Sequence, residues 1–281
     1  MFQPPLRRWV AHLALSAVLP AGALAAQATA VSAAPAATAP SADADAPPVL
    51  RPSLELSSEF GHLTQSYGAA RTLGVKYTRP LAGGVLDLTA TQQRRFGESG
   101  HYIGLQLTRD VDERNYVSLA LGAGSSVLWP IWRTDLHWHH KWGEQLNYVT
   151  GLGYMYASNR NDRNDRGLLL SLTGYFDQLV VEGGLHLNRN NPGRVRAGSQ
   201  YLAATWGRDQ VGTLMLRGET AQEAYQSIGV NQQLVDFDSR NLSIEWRHWW
   251  RPGHSLIVGG KVYRNPYYTQ TDLRLGVKLD L

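Results

Sequence analysis

The chain has 281 residues and a formal net charge of +4, from 27 Lys plus Arg against 23 Asp plus Glu, too slight an excess to point to nucleic acid as a partner. It contains no Cys, which removes disulfides, thiolate zinc sites and a cysteine nucleophile together. Its aromatics are 13 Tyr and 9 Trp against 5 Phe, weighted toward rings with an apolar body and a polar tip that suit a boundary between hydrocarbon and water.

Arg7 and Arg8 precede an apolar run from Trp9 to Leu19, then Pro20 and Ala23-Leu24-Ala25. A basic start, a short apolar stretch and small residues at a cleavage site predict a secretory signal over residues 1–25. The competing reading, an uncleaved anchor, needs a longer run than this one. Residues 26–52 are Ala, Pro, Ser and Asp with almost no large apolar side chain, and are predicted to be a disordered linker.

From residue 53 onward the pattern has period two. Leu86, Leu88 and Ala90 alternate with Asp87, Thr89 and Thr91, and Ile103, Leu105 and Leu107 with Tyr102, Gly104, Gln106 and Thr108. Strands are predicted at 53–60, 70–79, 84–96, 101–110, 115–127, 131–142, 145–157, 166–176, 179–190, 198–207, 211–220, 239–250, 254–264 and 270–281, each near the length of a tilted membrane-crossing strand. A water-soluble sandwich would alternate too. Tight connections after even strands, and longer ones at Gly61–Ala69, Ser158–Asp165, Asn191–Ala197 and Ala221–Asp238, favour an all-β, antiparallel, up-and-down transmembrane barrel of about 14 strands, with 12 as the alternative.

Opposite parities become opposite faces. The lumen-facing charges are then Lys76, Asp87, Arg133, Asp135, Lys141, Glu182, Glu245, Arg247, Lys261, Asp272, Arg274, Lys278 and Asp280, close to balance and suggesting ion pairs across strands rather than a ring of one sign. Trp132, Trp138, Trp142, Trp206, Trp246 and Trp250 are placed on the lipid face as an aromatic girdle. The loops expected outside carry Arg160, Arg163, Arg166, Arg189, Arg194 and Arg196, whose guanidinium groups suit the phosphates of lipopolysaccharide; hydrated, soluble loops are the other reading.

The stretch GAGSSVLWPIWRTDLHWHHKWG, Gly122 to Gly143, carries Gly122, Gly124, Trp129, Pro130, Trp132, Arg133, Lys141 and Gly143 in an order that resembles the YaiO-type outer-membrane β-barrel family. GGKVYRNPYYTQTDLRLGVKLDL, Gly259 to Leu281, is similar to that family's last hairpin, although Leu281 stands where outer-membrane barrels usually present an aromatic residue to the assembly machinery. The resemblance implies a porin-like Gram-negative cell-envelope protein in the outer membrane. Its partners would be outer-membrane lipid, lipopolysaccharide, the barrel assembly machinery and, by family analogy, a surface polysaccharide.

No catalytic centre stands out. His254 and Ser255 are adjacent and so face opposite ways. His62, Thr64 and Ser66 share a parity near the rim, but no acid accompanies them, and a plain polar loop is the expectation. His137 and His139 with Asp135 could begin a metal site, yet beside Arg133 and Lys141 they read as polar lumen wall. Glycine pairs such as Gly151 and Gly153 lie inside strands with no following helix, so no phosphate-cradling loop, and no cofactor, is implied. A non-enzymatic small diffusion channel or structural envelope protein, linked through the family to polysaccharide export, is the expected function. An outer-membrane lipid hydrolase using His62 and Ser66, and an adhesin using the Ala221–Asp238 loop, are the alternatives.

Overall fold

The computed structural model describes residues 51–281 apart from 161, 193 and 194, so the predicted signal and all but the last two linker residues lie outside the described residues. Fourteen strands follow in order: β1 (Ser53–Leu63), β2 (Gly68–Leu81), β3 (Gly84–Arg95), β4 (Glu98–Asp110), β5 (Asn115–Gly124), β6 (Trp132–Trp142), β7 (Tyr148–Ser158), β8 (Asn164–Tyr175), β9 (Leu179–Asn191), β10 (Val195–Arg208), β11 (Gly212–Gly229), β12 (Gln232–Arg251), β13 (His254–Arg264) and β14 (Thr269–Asp280). Each pairs antiparallel with the next, and β14 returns to β1 with Ser53 opposite Asp280 and Leu63 opposite Gln270, closing the barrel. The Leu281 N–H donates to the Pro52 carbonyl at 2.7 Å and finishes the seam. Closure follows from the solvent, because hydrocarbon offers an unpaired strand edge no partner.

The alternation sorts the faces. On β6, Trp132, Leu136, Trp138 and Trp142 are exposed outward while Arg133, Asp135, His137, His139 and Lys141 are buried inward. Turns after even strands are tight. At one of them Asp112 accepts from the Asn115 side-chain amide at 2.8 and 2.9 Å and from the backbone N–H groups of Arg114 and Asn115, both at 2.7 Å, and these hydrogen bonds, the side-chain amide's first, hold its carboxyl below the usual carboxylate range. By the usual polarity of such barrels this end is periplasmic and the other faces outward.

Glycine on the inner face makes room for rings. A Cβ at Gly122 would collide with Tyr102, and one at Gly184 with Tyr201, so each tyrosine lies flat across a neighbouring strand.

Several expectations change at the outer end, the Asn191–Ala197 connection among them, since β9 runs to Asn191 and β10 begins at Val195. The connection over Gly61–Ala69 shrinks to Thr64–Tyr67, because β1 and β2 pair out to Leu63 and Gly68. β5 stops at Gly124 rather than 127, and Leu128, Trp129 and Pro130 of the connection that follows are buried. The Ala221–Asp238 loop is instead an extension of β11 and β12, paired as far as Gly229 opposite Gln232.

Candidate functional site: the capped outer mouth

Ion pairs line the inner wall. Glu55 accepts from Arg247 at 3.1 Å and Arg274 at 2.9 Å, and Glu245 lies 3.5 Å from Arg247 and 3.7 Å from Arg274. Lys261 bridges Glu59 at 3.1 Å and Asp272 at 3.0 Å, Lys76 pairs with Asp87 at 3.4 Å, and Lys278 with Asp280 at 3.4 Å. Elsewhere Arg133 pairs with Asp135 at 2.5 Å, Lys141 lies 3.9 Å from Asp110, Arg217 pairs with Glu219 at 3.1 Å, and Tyr201 donates to Glu182 at 2.8 Å. Glu55, Glu59, Asp110, Asp165, Glu219 and Glu223, with Arg95 and Arg217, join the interior beyond the charges read from parity. Six carboxylates against two guanidinium groups tilt the lining toward acid, an excess that Arg160 and Arg163 at the cap reduce.

Above this lining the β11–β12 ribbon leaves the wall. β10 pairs with β11 only to Gln222, and β13 pairs with β12 only from Arg240, so residues 223–239 have no lateral neighbour. Alternation ends at the same place: Glu223, Ala224, Tyr225 and Gln226 are buried in succession. A strand segment buried on both faces has protein on both sides: β11 residues 223–226 fold inward over the lumen, while on β12 Leu234 and Phe237 are buried and Val235, Asp236 and Asp238 stay exposed. Leu234 and Phe237 pack with Leu63, Ala70, Tyr263 and Tyr268. Tyr263 donates to Glu223 at 2.7 Å. The Tyr268 hydroxyl donates to Gln226 at 2.8 Å and accepts from Arg95 at 2.6 Å, and burial pushes that hydroxyl up to about 12, so it stays a neutral donor. On the far side Tyr225 donates to both oxygens of Asp165 at 3.0 and 3.1 Å, Asn159 donates to Asp165 at 2.8 Å, and Arg163 sits 4.5 Å over the Tyr225 ring.

The rest of the mouth is covered by residues 125–131. Trp129, 3% exposed, stacks on Tyr102 at 4.8 Å, and the ring fits because Gly124 carries no side chain where it lies. Arg160 reaches from the β7–β8 connection to donate to the carbonyls of Ser126, Trp129 at 3.0 Å and Gly124 at 3.2 Å. Phe96, at the β3–β4 turn, packs against both the Leu128–Trp129 pair and the cluster around Tyr268. The two inward segments thus meet in one apolar layer across the outer end.

A family model of the YaiO membrane β-barrel domain matches residues 51–226. This chain belongs to the YaiO membrane β-barrel family. YaiO membership and the closed barrel place it in the bacterial outer membrane. Two solved structures are similar to this YaiO chain. One is titled a CymD monoaromatic hydrocarbon channel, with a TM-score of 0.56, 9% identity, and coverage of 82% of this chain and 88% of that one. The other is titled a bacterial polysaccharide outer membrane secretin, with a TM-score of 0.55, 9% identity, and coverage of 82% and 98%. At that identity they speak for the fold alone. No curated protein matches the sequence.

The remaining sequence-derived residues of the YaiO barrel are placed as follows. Trp142, Trp206 and Trp250 point outward beside periplasmic turns, Trp246 is level with Trp206 through their shared neighbour Leu214, Trp132 stands at the outer end against Tyr156 at 4.9 Å, and Trp138 lies nearer mid-strand. His62 and Ser66 are both exposed and, among the described residues, no hydrogen bond joins them; the Thr64 hydroxyl accepts from the Thr269 N–H at 2.9 Å. His139 stacks on Tyr116 at 4.4 Å and lies parallel to His137 at 6.0 Å. Among the described residues no three His, Asp or Glu side chains are grouped to hold a metal. Arg160 and Arg163 serve the cap rather than pointing to solvent or lipid, and Arg194 is outside the described residues.

Proposed function

We propose that this protein is a small-solute diffusion pathway whose outer mouth is closed at rest by the β11–β12 hairpin. The observation that carries the reading is the change in character along one ribbon: a laterally paired wall below Gln222, and above it a segment held across the lumen only by side chains. A purely structural barrel gains nothing from a cap attached at one side. The polar, ion-paired lining beneath the cap suits the passage of hydrated solutes. An adhesin would present the whole of residues 221–238 to the outside, whereas 223–226, Leu234 and Phe237 are buried and only residues such as Val230, Val235 and Asp238 remain exposed. A lipid hydrolase would join His62 to Ser66, and the two share no hydrogen bond among the described residues.

The test is planar-bilayer recording of the full barrel and of a variant in which residues 223–237 are replaced by Asn-Gly, a two-residue turn that joins the paired Gln222 and Asp238. The intact protein is expected to conduct rarely, and the shortened one steadily, with a weak cation preference from the acid-tilted lining. Silence from both, with both folded, would end the channel reading. A link to surface polysaccharide export is the finer form of this proposal and rests on the family; unchanged polysaccharide release from a deletion strain would remove it. Assembly by the barrel machinery is part of the same reading, checked by loss of the folded form when that machinery is depleted.

A further inference from the structure

On the outward face, Arg166 of β8 stands directly opposite Arg189 of β9, which stands directly opposite Arg196 of β10. All three are exposed, and each lies within two residues of the outer end of its strand. Among the described residues none has a carboxylate within ion-pairing distance. Like charges at facing positions repel, and beside hydrocarbon the repulsion is poorly screened. A wall that elsewhere pairs nearly every inner charge leaves these three guanidinium groups side by side.

The surroundings give the row a direction. One strand further, Tyr156 is opposite Arg166, with its ring 5.7 Å from that guanidinium and 4.9 Å from Trp132 in a tilted pair. Immediately below are Leu168 and Leu187, 47% and 58% exposed, followed by Leu170 and Leu185. Aromatic rings mark the interfacial level and the leucines the acyl level, so the arginines sit at headgroup height in the outer leaflet. Guanidinium groups bind phosphate in forked, charge-assisted pairs, and a phosphate shared among three of them cancels their repulsion.

We infer that Arg166, Arg189 and Arg196 form a binding site for the phosphate groups of lipopolysaccharide, with the acyl chains of the same molecule lying over the leucines beneath. This site is on the outside of the wall and is independent of whether the lumen conducts.

Purified full-length protein, exchanged into detergent, would be incubated with lipopolysaccharide, with the same lipopolysaccharide after phosphatase treatment, and with phosphatidylglycerol micelles, and bound lipid measured by native mass spectrometry. The triple variant Arg166→Gln, Arg189→Gln, Arg196→Gln is expected to lose about tenfold in lipopolysaccharide affinity or more, as removing charge-assisted bonds to a phosphate implies. Arg109→Gln, at an outward position near the periplasmic end of β4, should leave binding unchanged. Heat-modifiable gel mobility reports that each variant is folded. Should the triple variant not fold, Arg189→Gln alone is read in the same way, with a clear loss supporting the site and unchanged affinity overturning it. Equal binding of the dephosphorylated lipid, or of phosphatidylglycerol, would overturn it as well.

Discussion

The two halves of the β11–β12 ribbon share one hydrogen-bond ladder, shifted in register only near its tip at Ser227/Gly229, and obey different rules. From Gly212 to Gln222, β11 is flanked by β10 and β12, and its side chains alternate between lipid and lumen. From Glu223 to Gly229 it has only β12 beside it, and over Glu223–Gln226 both of its faces are buried. The lower half is fixed by a solvent that demands every backbone partner, whereas the upper half is free to bend because water and the lumen can satisfy its edges. Position in the wall is a matter of backbone; position over the mouth is a matter of side chains.

Proline tests that contrast most severely. Leu216→Pro, between Ala204 and Ile244, removes a ladder hydrogen bond inside hydrocarbon and is expected to cost several kcal/mol and abolish the folded, heat-modifiable band. Val235→Pro, opposite Tyr225 in the upper half, should leave the band intact and only loosen the cap, seen as faster hydrogen exchange over 224–237. An intact band for both substitutions would mean the wall does not depend on its ladder. Next in size, Trp129→Ala empties a buried site and removes a ring stacked on Tyr102; about 3–5 kcal/mol of local packing is lost, as for large-to-small core changes, and residues 125–131 should become open to proteolysis while the barrel's melting temperature barely moves.

Tyr225→Phe takes away the hydroxyl that donates to Asp165 and leaves that buried carboxylate short of a partner, for about 1–3 kcal/mol. The far edge of the cap should then exchange hydrogen faster than the edge at Tyr268. The smallest effect belongs to the periplasmic end. Asp112→Ala loses the acceptor that holds Arg114 and Asn115, and trypsin should cut after Arg114 several-fold faster with no change in melting. Because folding lowers the Asp112 carboxyl's affinity for protons, the turn's extra hold is present above the ordinary aspartate range and fades as pH falls through the lowered value, so acid should mimic the substitution.

The wall was legible because period two is imposed residue by residue: Leu273, Leu275 and Leu279 against Asp272, Arg274 and Lys278 already state which way β14 faces. The cap was not. Glu-Ala-Tyr-Gln at 223–226 has no periodicity, since burial on both faces erases it, and a stretch without period reads as a loop. Arg160 looked like one of several rim arginines, and only the folded chain brings its guanidinium to three carbonyls more than thirty residues upstream. Glu55 and Glu59 went unread as interior charges because β1 alternates weakly, with Ser57 and Ser58 blurring its two faces. Gly122 and Gly124 were visible as a motif; what their missing side chains accommodate, Tyr102 and Trp129, was not.

The self-paired cap also carries a kinetic signature. If the cap gates as proposed, the β11–β12 ladder, shifted in register only at Ser227/Gly229, would pivot as one body about residues near 222 and 239, so a trace from a single molecule should step between two amplitudes instead of drifting through many. Dwell times in the silent level would follow one exponential, and their steepness with temperature would report how much enthalpy the joint between Phe96, Phe237 and Tyr268 stores.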